Sequence, residues 1–338
     1  MKILIIQLRR IGDILLSTPV ITYLKGIFPD SKIDFLTEEG GVPVLETNPH
    51  LHEVLSYDKR HPLREIRKIR SRHYGAVLDF MNNPRSRYLT ALSGAKWRAG
   101  FDSPLSFLFF NAVLPRQNHP EYVALRKLRL ARYWLEKTGH PSPAAGSYLP
   151  EIYFSPEDDG FARDWMRREK LERGKFAFLI PNHRRPIRRW RADGFKDLGL
   201  KISRESKLKV YLACGPDEEN YINEIRQGHD SELGFVQFHS IRQAGALFQK
   251  AALVVANDSG LMHVAVAAGV PTVTIYGPSR PIDWNPSLAA PEENSRHIVV
   301  SAKGVPCLGC HLLKCPVGHI CMTYLSVEEV FSACQKIL

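Results

Sequence analysis

Residues 252–278 constrain the chain more tightly than any other stretch, because they spell a strand, a helix and a second strand with almost nothing between them. Leu253 to Ala256 is a short apolar run, too short for a helix and suited to a strand buried on both faces. Asn257, Asp258 and Ser259 follow, with side-chain oxygens that can accept from the unpaired first-turn amides of a helix. That helix is expected from Gly260 to Ala268; Gly269 can close it in the left-handed conformation, and Pro271 forbids its continuation. Val273 to Tyr276 reads as the second strand, stopped by Gly277-Pro278. In open parallel sheets ligands bind beyond the carboxyl ends of strands, and a helix N-terminus there favours an anion. His263 lies one turn into the helix and can add a donor. The expected ligand carries phosphate.

The same grammar runs through the rest of the chain. Ile3 to Leu8 is apolar apart from Gln7, as in a central parallel strand, and it empties into Arg9-Arg10-Ile11-Gly12-Asp13. Asp13 reads equally as a helix cap or as a general base at a strand's carboxyl end. The apolar helical stretch Ile14 to Phe28 contains Pro19, which predicts either a kink or the first turn of the true helix. Leu63, Ile66 and Ile69, three apart, predict an amphipathic helix whose other face carries Arg60, Arg64, Arg67 and Lys68. That face is either simply solvated or a recognition surface for an acidic acceptor. Residues 99–119 read as irregular, and Tyr122 to Lys137 as a helix with a broad apolar stripe. The Gly-, Pro- and Ser-rich residues 139–150 read as a linker. A second alternation of strands and helices follows, beginning with the strand Phe176 to Ile180 and the arginine-rich segment after it. Two successive sets predict an α/β chain of two doubly wound domains, residues 1–148 and 149–338.

Composition narrows the partners. The 338 residues carry a formal net charge of +11, which is either a merely basic surface or the mark of an anionic partner: nucleic acid, nucleotide or a phosphate-rich membrane. No apolar stretch approaches the roughly 18 residues that span a bilayer, and the segment between Met1 and Arg9 is too short for a secretory signal. A cytoplasmic protein is expected. Gly-x-Gly-x-x-Gly and Walker-type loops are missing where strands meet helices, and there is no Gly-x-Ser-x-Gly elbow, which disfavours dehydrogenases, P-loop enzymes and serine hydrolases.

Taken together, the motifs resemble glycosyltransferase family 9, the heptosyltransferases of lipopolysaccharide core synthesis. The resemblance is carried by Gly12-Asp13 with Ser17-Thr18-Pro19, by Asp79 with Arg85 and Ser86, by Arg188 and Trp190, and by Gly215-Pro216-Asp217. Its most specific part is Asn257-Asp258-Ser259-Gly260-Leu261-Met262-His263, followed by Gly277-Pro278-Ser279. It implies a GT-B fold, two Rossmann-like domains facing across a cleft: residues 1–148 bind the acceptor and 149–338 the nucleotide sugar. It further implies inverting transfer of heptose from an ADP-heptose-like donor to a lipid-linked, anionic saccharide, with no metal and no cofactor. Asp13 matches the family's base; Arg188, Asp258, Ser259, Gly260 and His263 match its diphosphate site, and Asp217 the contact to the nucleoside sugar. Acceptor binding falls to Arg60, Arg64, Arg67 and Lys68, at the inner membrane surface and without nucleic acid. Other nucleotide sugars, or a non-catalytic anion- or carbohydrate-binding role, are the alternatives.

Cys307, Cys310, Cys315 and Cys321 stand at spacings that can bind zinc. Reduced thiols packing a small C-terminal subdomain are the expectation, with a structural metal as the alternative.

Overall fold

Short runs of Val, Ile, Leu and Phe become strands buried on both faces, and the amphipathic segments between them become the helices that cover those faces. The computed structural model describes residues 1–291 and 295–338. It divides into two units, Met1–Tyr153 and Phe154–Leu338. The division falls later than the Gly/Pro-rich linker suggests because the chain beyond it packs back on the first unit. There the Glu151 amide donates to Thr18 Oγ1 at 2.7 Å, and Thr47 Oγ1 donates to the Tyr153 carbonyl at 2.6 Å.

In the first unit six parallel strands are ordered β3-β2-β1-β4-β5-β6. They are β1 (Lys2–Ile6), β2 (Lys32–Thr37), β3 (Glu53–Ser56), β4 (Ala76–Asp79), β5 (Trp97–Phe101) and β6 (Ala112–Leu114). The second unit repeats the order as β12-β11-β10-β7-β8-β9. Its strands are β7 (Phe176–Ile180), β8 (Lys209–Cys214), β9 (Leu233–Gln237), β10 (Leu253–Asn257), β11 (Thr272–Ile275) and β12 (His297–Val300). In each sheet the direction of winding reverses between two central strands: β1 and β4 in one, β7 and β10 in the other. The loops leaving those strands diverge, opening a crevice beyond the sheet where a ligand can sit.

The cores explain why these strands hold their level. Leu4, Ile6, Leu36, Val77 and Leu89 pack together in the first unit. Leu179, Phe195, Leu198, Val255 and Phe331 do so in the second. Each such side chain contributes about 1.5–3 kcal/mol by leaving water. Ile6 pairs with Asp79, and Ala256 with Ile180, so the two central strands of each sheet end side by side.

Pro19 marks a new helix. Ile11–Leu15 is one short helix, and Thr18–Ile27 begins a second with Pro19 in its first turn. Proline is accepted there because its missing N–H would have had no partner. The stretch read as irregular holds β5 and β6, and the basic helix spans Pro62–Arg70. Among the described residues no helix is long and apolar enough to cross a membrane.

Candidate functional site

At the reversal point of the first sheet lies a pocket of about 440 Å³. One wall comes from the segment after β1, with Gln7, Arg9, Arg10 and Asp13; the other follows β4, with Met81, Asn83, Pro84 and Arg85. Asp13 is half-buried and sits in the Ile11–Leu15 helix. Arg10, at the N-cap of that helix, has φ 67°, a conformation that costs a non-glycine residue about 1–3 kcal/mol. Glu38 Oε1 accepts from both Arg9 and Arg85 at 3.0 Å, tying the two walls together. The β4 wall is shaped by Asp79, fully buried, whose Oδ1 takes the amides of Met81 at 2.8 Å and Asn82 at 3.0 Å. Burial pushes its carboxyl up to about 6, partly opposed by those amides.

Beneath Asp13 lies Lys127, a lysine in the apolar stripe of the helix Val123–Lys137 and 2% exposed. Its Nζ donates to the Asp13 carbonyl at 2.5 Å and to Ser17 Oγ at 2.9 Å, fixing the turn that presents Asp13. Sequence reasoning missed this residue; the signal was a cation at the 3–4-residue spacing of Ala124, Leu128 and Ala131. Burial brings the Lys127 ammonium down to about 7, against the opposing charge of Asp13. The unfolded chain therefore binds the additional proton between about pH 7 and 10, and stability contributed here rises with pH across that window. Lys127→Met should abolish this component of the rise. Thermal unfolding of both proteins from neutral to alkaline pH checks it, and parallel curves would show that Lys127 titrates normally.

The reversal point of the second sheet is equally equipped. Asn257, at the end of β10, accepts from the Trp190 amide at 2.9 Å and donates to the Pro181 carbonyl at 2.7 Å. This bonds the loop after β7 to the end of β10. Arg188, on that loop, meets Asp258 at 2.9 Å, and Ser279 Oγ donates to the same carboxylate oxygen at 2.5 Å. Ser259 caps the helix Gly260–Ala267, its hydroxyl accepting from the Met262 amide at 3.4 Å. His263 is buried, its ring edge-on to Trp284 at 6.0 Å.

The other arginines of the loop divide their work. Arg189 donates to the His183 carbonyl and stacks over Tyr221, while Arg191 pairs with Asp193. Arg184 is exposed. Burial, reinforced by Arg188, lowers His183 to about 4, so its ring is neutral near pH 7 and its Nδ1 takes the Arg185 amide at 2.8 Å. His183 shapes the loop and brings no charge to it. Asp217 lies exposed on the turn after β8 with φ 65°.

A cysteine-rich tail braces this cluster. The Gly309 amide donates to the Gly277 carbonyl at 2.8 Å, and the His311 amide to the Pro278 carbonyl at 2.7 Å. Gly277 has no room for a side chain, since a β-carbon there would come 2.6 Å from Met322 Sδ and 3.0 Å from Cys321 Sγ. On the other side His319 Nε2 bonds to the Ile187 carbonyl, and Trp190 Nε1 donates to the Leu325 carbonyl at 3.1 Å. The cysteines form no disulfide. Burial, with smaller contributions from Cys307, Cys310 and Cys315, pushes the Cys321 thiol up to about 11. Among the described residues the one trio of ligand atoms close enough to share a metal is Asp34, His52 and Glu53, elsewhere in the fold. Arg72 pairs with both carboxylates of that trio, so it reads as an ion-pair network.

The four residues expected to bind the acceptor do not line the pocket at Asp13. Arg60 is held bidentately by Asp58 at 3.0 and 3.1 Å, and Lys68 reaches the Ser56 carbonyl at 3.3 Å. Arg64 and Arg67 are exposed on the Pro62–Arg70 helix.

Residues 63–314 match the model of glycosyltransferase family 9 (heptosyltransferase), a range that includes the Arg188–Asp258 site and the β4 wall of the pocket. The chain belongs to glycosyltransferase family 9. Its curated relatives include lipopolysaccharide heptosyltransferase 3 of Escherichia coli, 24% identical over 306 residues, covering 81% of this chain and 82% of the relative. Lipopolysaccharide heptosyltransferase 2 of Salmonella typhimurium is 26% identical over 310 residues, covering 86% of each. Among solved structures, the family 9 glycosyl transferase from Veillonella parvula superposes with a TM-score of 0.78 at 20% identity, covering 99% of this chain and 96% of that one. The E. coli ADP-heptose lps heptosyltransferase II gives 0.76 at 20% identity, covering 100% and 98%. These likenesses identify the fold as GT-B-like, with two Rossmann-like domains. As a family 9 member the protein is a glycosyltransferase that uses a nucleotide-sugar donor.

Proposed function

We propose that this family 9 transferase moves heptose from ADP-heptose onto an anionic, lipid-linked lipopolysaccharide core acceptor at the inner membrane surface, with inversion at the anomeric carbon. The observation carrying the proposal is that the same topological position is equipped differently in the two sheets. One holds a carboxylate in an arginine-lined pocket; the other holds a helix N-terminus beside an arginine. The curated relatives, lipopolysaccharide heptosyltransferases 2 and 3, support the choice of sugar and acceptor.

In this reading Asp13 takes the proton of the acceptor hydroxyl as its oxygen forms the new bond to the anomeric carbon. The bond from that carbon to the diphosphate oxygen breaks on the opposite side, and ADP leaves. First-turn amides of the Gly260–Ala267 helix and the Arg188 guanidinium meet the departing charge. Asp258 orients the guanidinium by holding one of its nitrogens, and Asp217 contacts the nucleoside ribose. Arg9, Arg10 and Arg85 give the pocket a positive surface suited to phosphate or acidic sugars.

Incubation with a panel of nucleotide sugars, watching which nucleoside diphosphate is released when core lipid is added, tests this. Acceptor-dependent ADP release from ADP-heptose alone is expected. Release of UDP or GDP from another donor would overturn the heptose assignment, and anion binding without turnover on any donor would overturn the enzyme reading for this acceptor.

A further inference from the structure

The first unit carries an apolar projection that its core does not use. Between β5 and β6 the turn Ser106–Leu108 lifts Phe107 to 70% exposure, with Leu105 and Leu108 each at 59%. Exposed Tyr88, on the helix Pro84–Ala91, lies beside it through an edge contact to Phe109 at 5.5 Å. These side chains stand out from a short turn instead of lining a groove.

The tip is braced, and its surroundings are cationic. Arg87 donates to the Pro104 carbonyl and to Ser103 Oγ, and its guanidinium lies over the Phe109 ring at 5.7 Å. Leu105 holds φ 61°, a conformation kept by this bracing. The helix Pro84–Ala91 packs beside the basic helix Pro62–Arg70. Arg70 reaches the turn after it, where a β-carbon on Gly94 would lie 3.6 Å from its side chain. Arg64, Arg67 and Arg70 are all exposed on that helix, Lys68 is partly so, and the helix's acid, Glu65, is buried. The segment between β5 and β6 carries one carboxylate, Asp102, which is exposed.

We infer that the Leu105–Leu108 turn and Tyr88 insert into the interfacial region of an anionic bilayer, with the Arg64–Arg67–Arg70 face lying on the headgroups. Apolar insertion and basic attraction are the two contributions that together hold a peripheral protein on a membrane. The inference deepens the proposed function, which supplies a lipid-linked acceptor, yet it is measured without donor or acceptor.

The test is co-sedimentation of the full chain with vesicles of phosphatidylglycerol and phosphatidylcholine, against pure phosphatidylcholine. Binding to the anionic vesicles that weakens with salt is expected, and Phe107→Asp/Leu108→Asp should lower it about tenfold or more. In a second variant, Phe107→Trp, the indole emission should shift to the blue on those vesicles. Both positions are exposed, so thermal unfolding should be unchanged. Undiminished binding by the double-aspartate variant, or unshifted emission from a bound Phe107→Trp protein, would overturn the insertion. Self-association lost in the double-aspartate variant, with no vesicle binding by the parent, would assign the tip to a second copy of the chain and overturn it too. Transfer to a delipidated, water-soluble acceptor should be equal in parent and variant, which separates failure of this inference from failure of the heptosyltransferase reading.

Discussion

Asp13→Asn is expected to slow transfer by roughly a hundred- to ten-thousand-fold, the range lost when a positioned general base is removed. The substitution keeps the shape of the side chain and the short helix Ile11–Leu15, and Lys127 still finds the main-chain carbonyl at position 13. Donor affinity should be little changed, because the Arg188–Asp258 site belongs to the other sheet. The loss should therefore appear in the turnover number at saturating donor, measured as nucleoside diphosphate released per enzyme. A variant that turns over at the parental rate removes Asp13 from the reaction and leaves it as a helix-start residue.

Arg188→Met tests the cluster in the second sheet and should show two effects at once. The side chains of Arg188 and Asp258 are 16% and 5% exposed, so the substitution takes one cationic partner from a carboxylate that water hardly reaches. Breaking a buried pair from one side costs about 3–5 kcal/mol. Ser279 still donates to Asp258 and should keep the loss at the lower end. Adding Asp258→Asn removes the buried charge that has lost its guanidinium and should recover part of the unfolding temperature, while donor binding stays lost because the cation is gone. Arg188→Lys should keep part of that binding, being a point charge without the planar fork. Calorimetry for stability and titration with nucleoside diphosphate for binding separate the two effects. If Arg188→Met binds the diphosphate as tightly as the parent, the assignment of Arg188 to the leaving group fails.

How much of this was legible in the chain follows from what each strand must bury. β1, β7 and β10 are central, covered on both faces, and their unbroken apolar runs were readable at once. β6, β9 and β12 stand at or towards the sheet edges, and β5 beside β6. Their sequences mix in Arg98, Gly100, Gly234 and Gln237, because half-exposed strands have no need of a continuous apolar signal. The strand-end chemistry at Asp13 and at Asn257 to Ser259 was visible because a cap or a tight turn demands particular side chains in particular places. Arg9 and Arg10 were read only as charges beside a motif, and Arg85 only as one piece of the family resemblance. What gathers them is the side-by-side ending of β1 and β4, a property of topology that no local window contains. The Pro62–Arg70 helix illustrates the converse. Periodicity gave its basic face, but could not tell that Arg60 would be taken by Asp58 or that the face would stand away from the pocket.

The bonds from the tail to the Arg188 loop also bear on the order in which the molecule can mature. Trp190, whose amide is held by Asn257, sends its indole N–H to the carbonyl of Leu325, and Ile187 is held by His319. A ribosome that has just released residues 176–279 from its tunnel has delivered Arg188, Asp258, Ser279 and the Asn257 bonds to Trp190 and Pro181, but not the bonds from Leu325 and His319. The bonds to Ile187 and Trp190 from the tail wait until more than three hundred residues have been made. A chain ending before Cys307 is expected to keep the pocket beside Asp13 and to hold the Ile187–Trp190 loop less firmly.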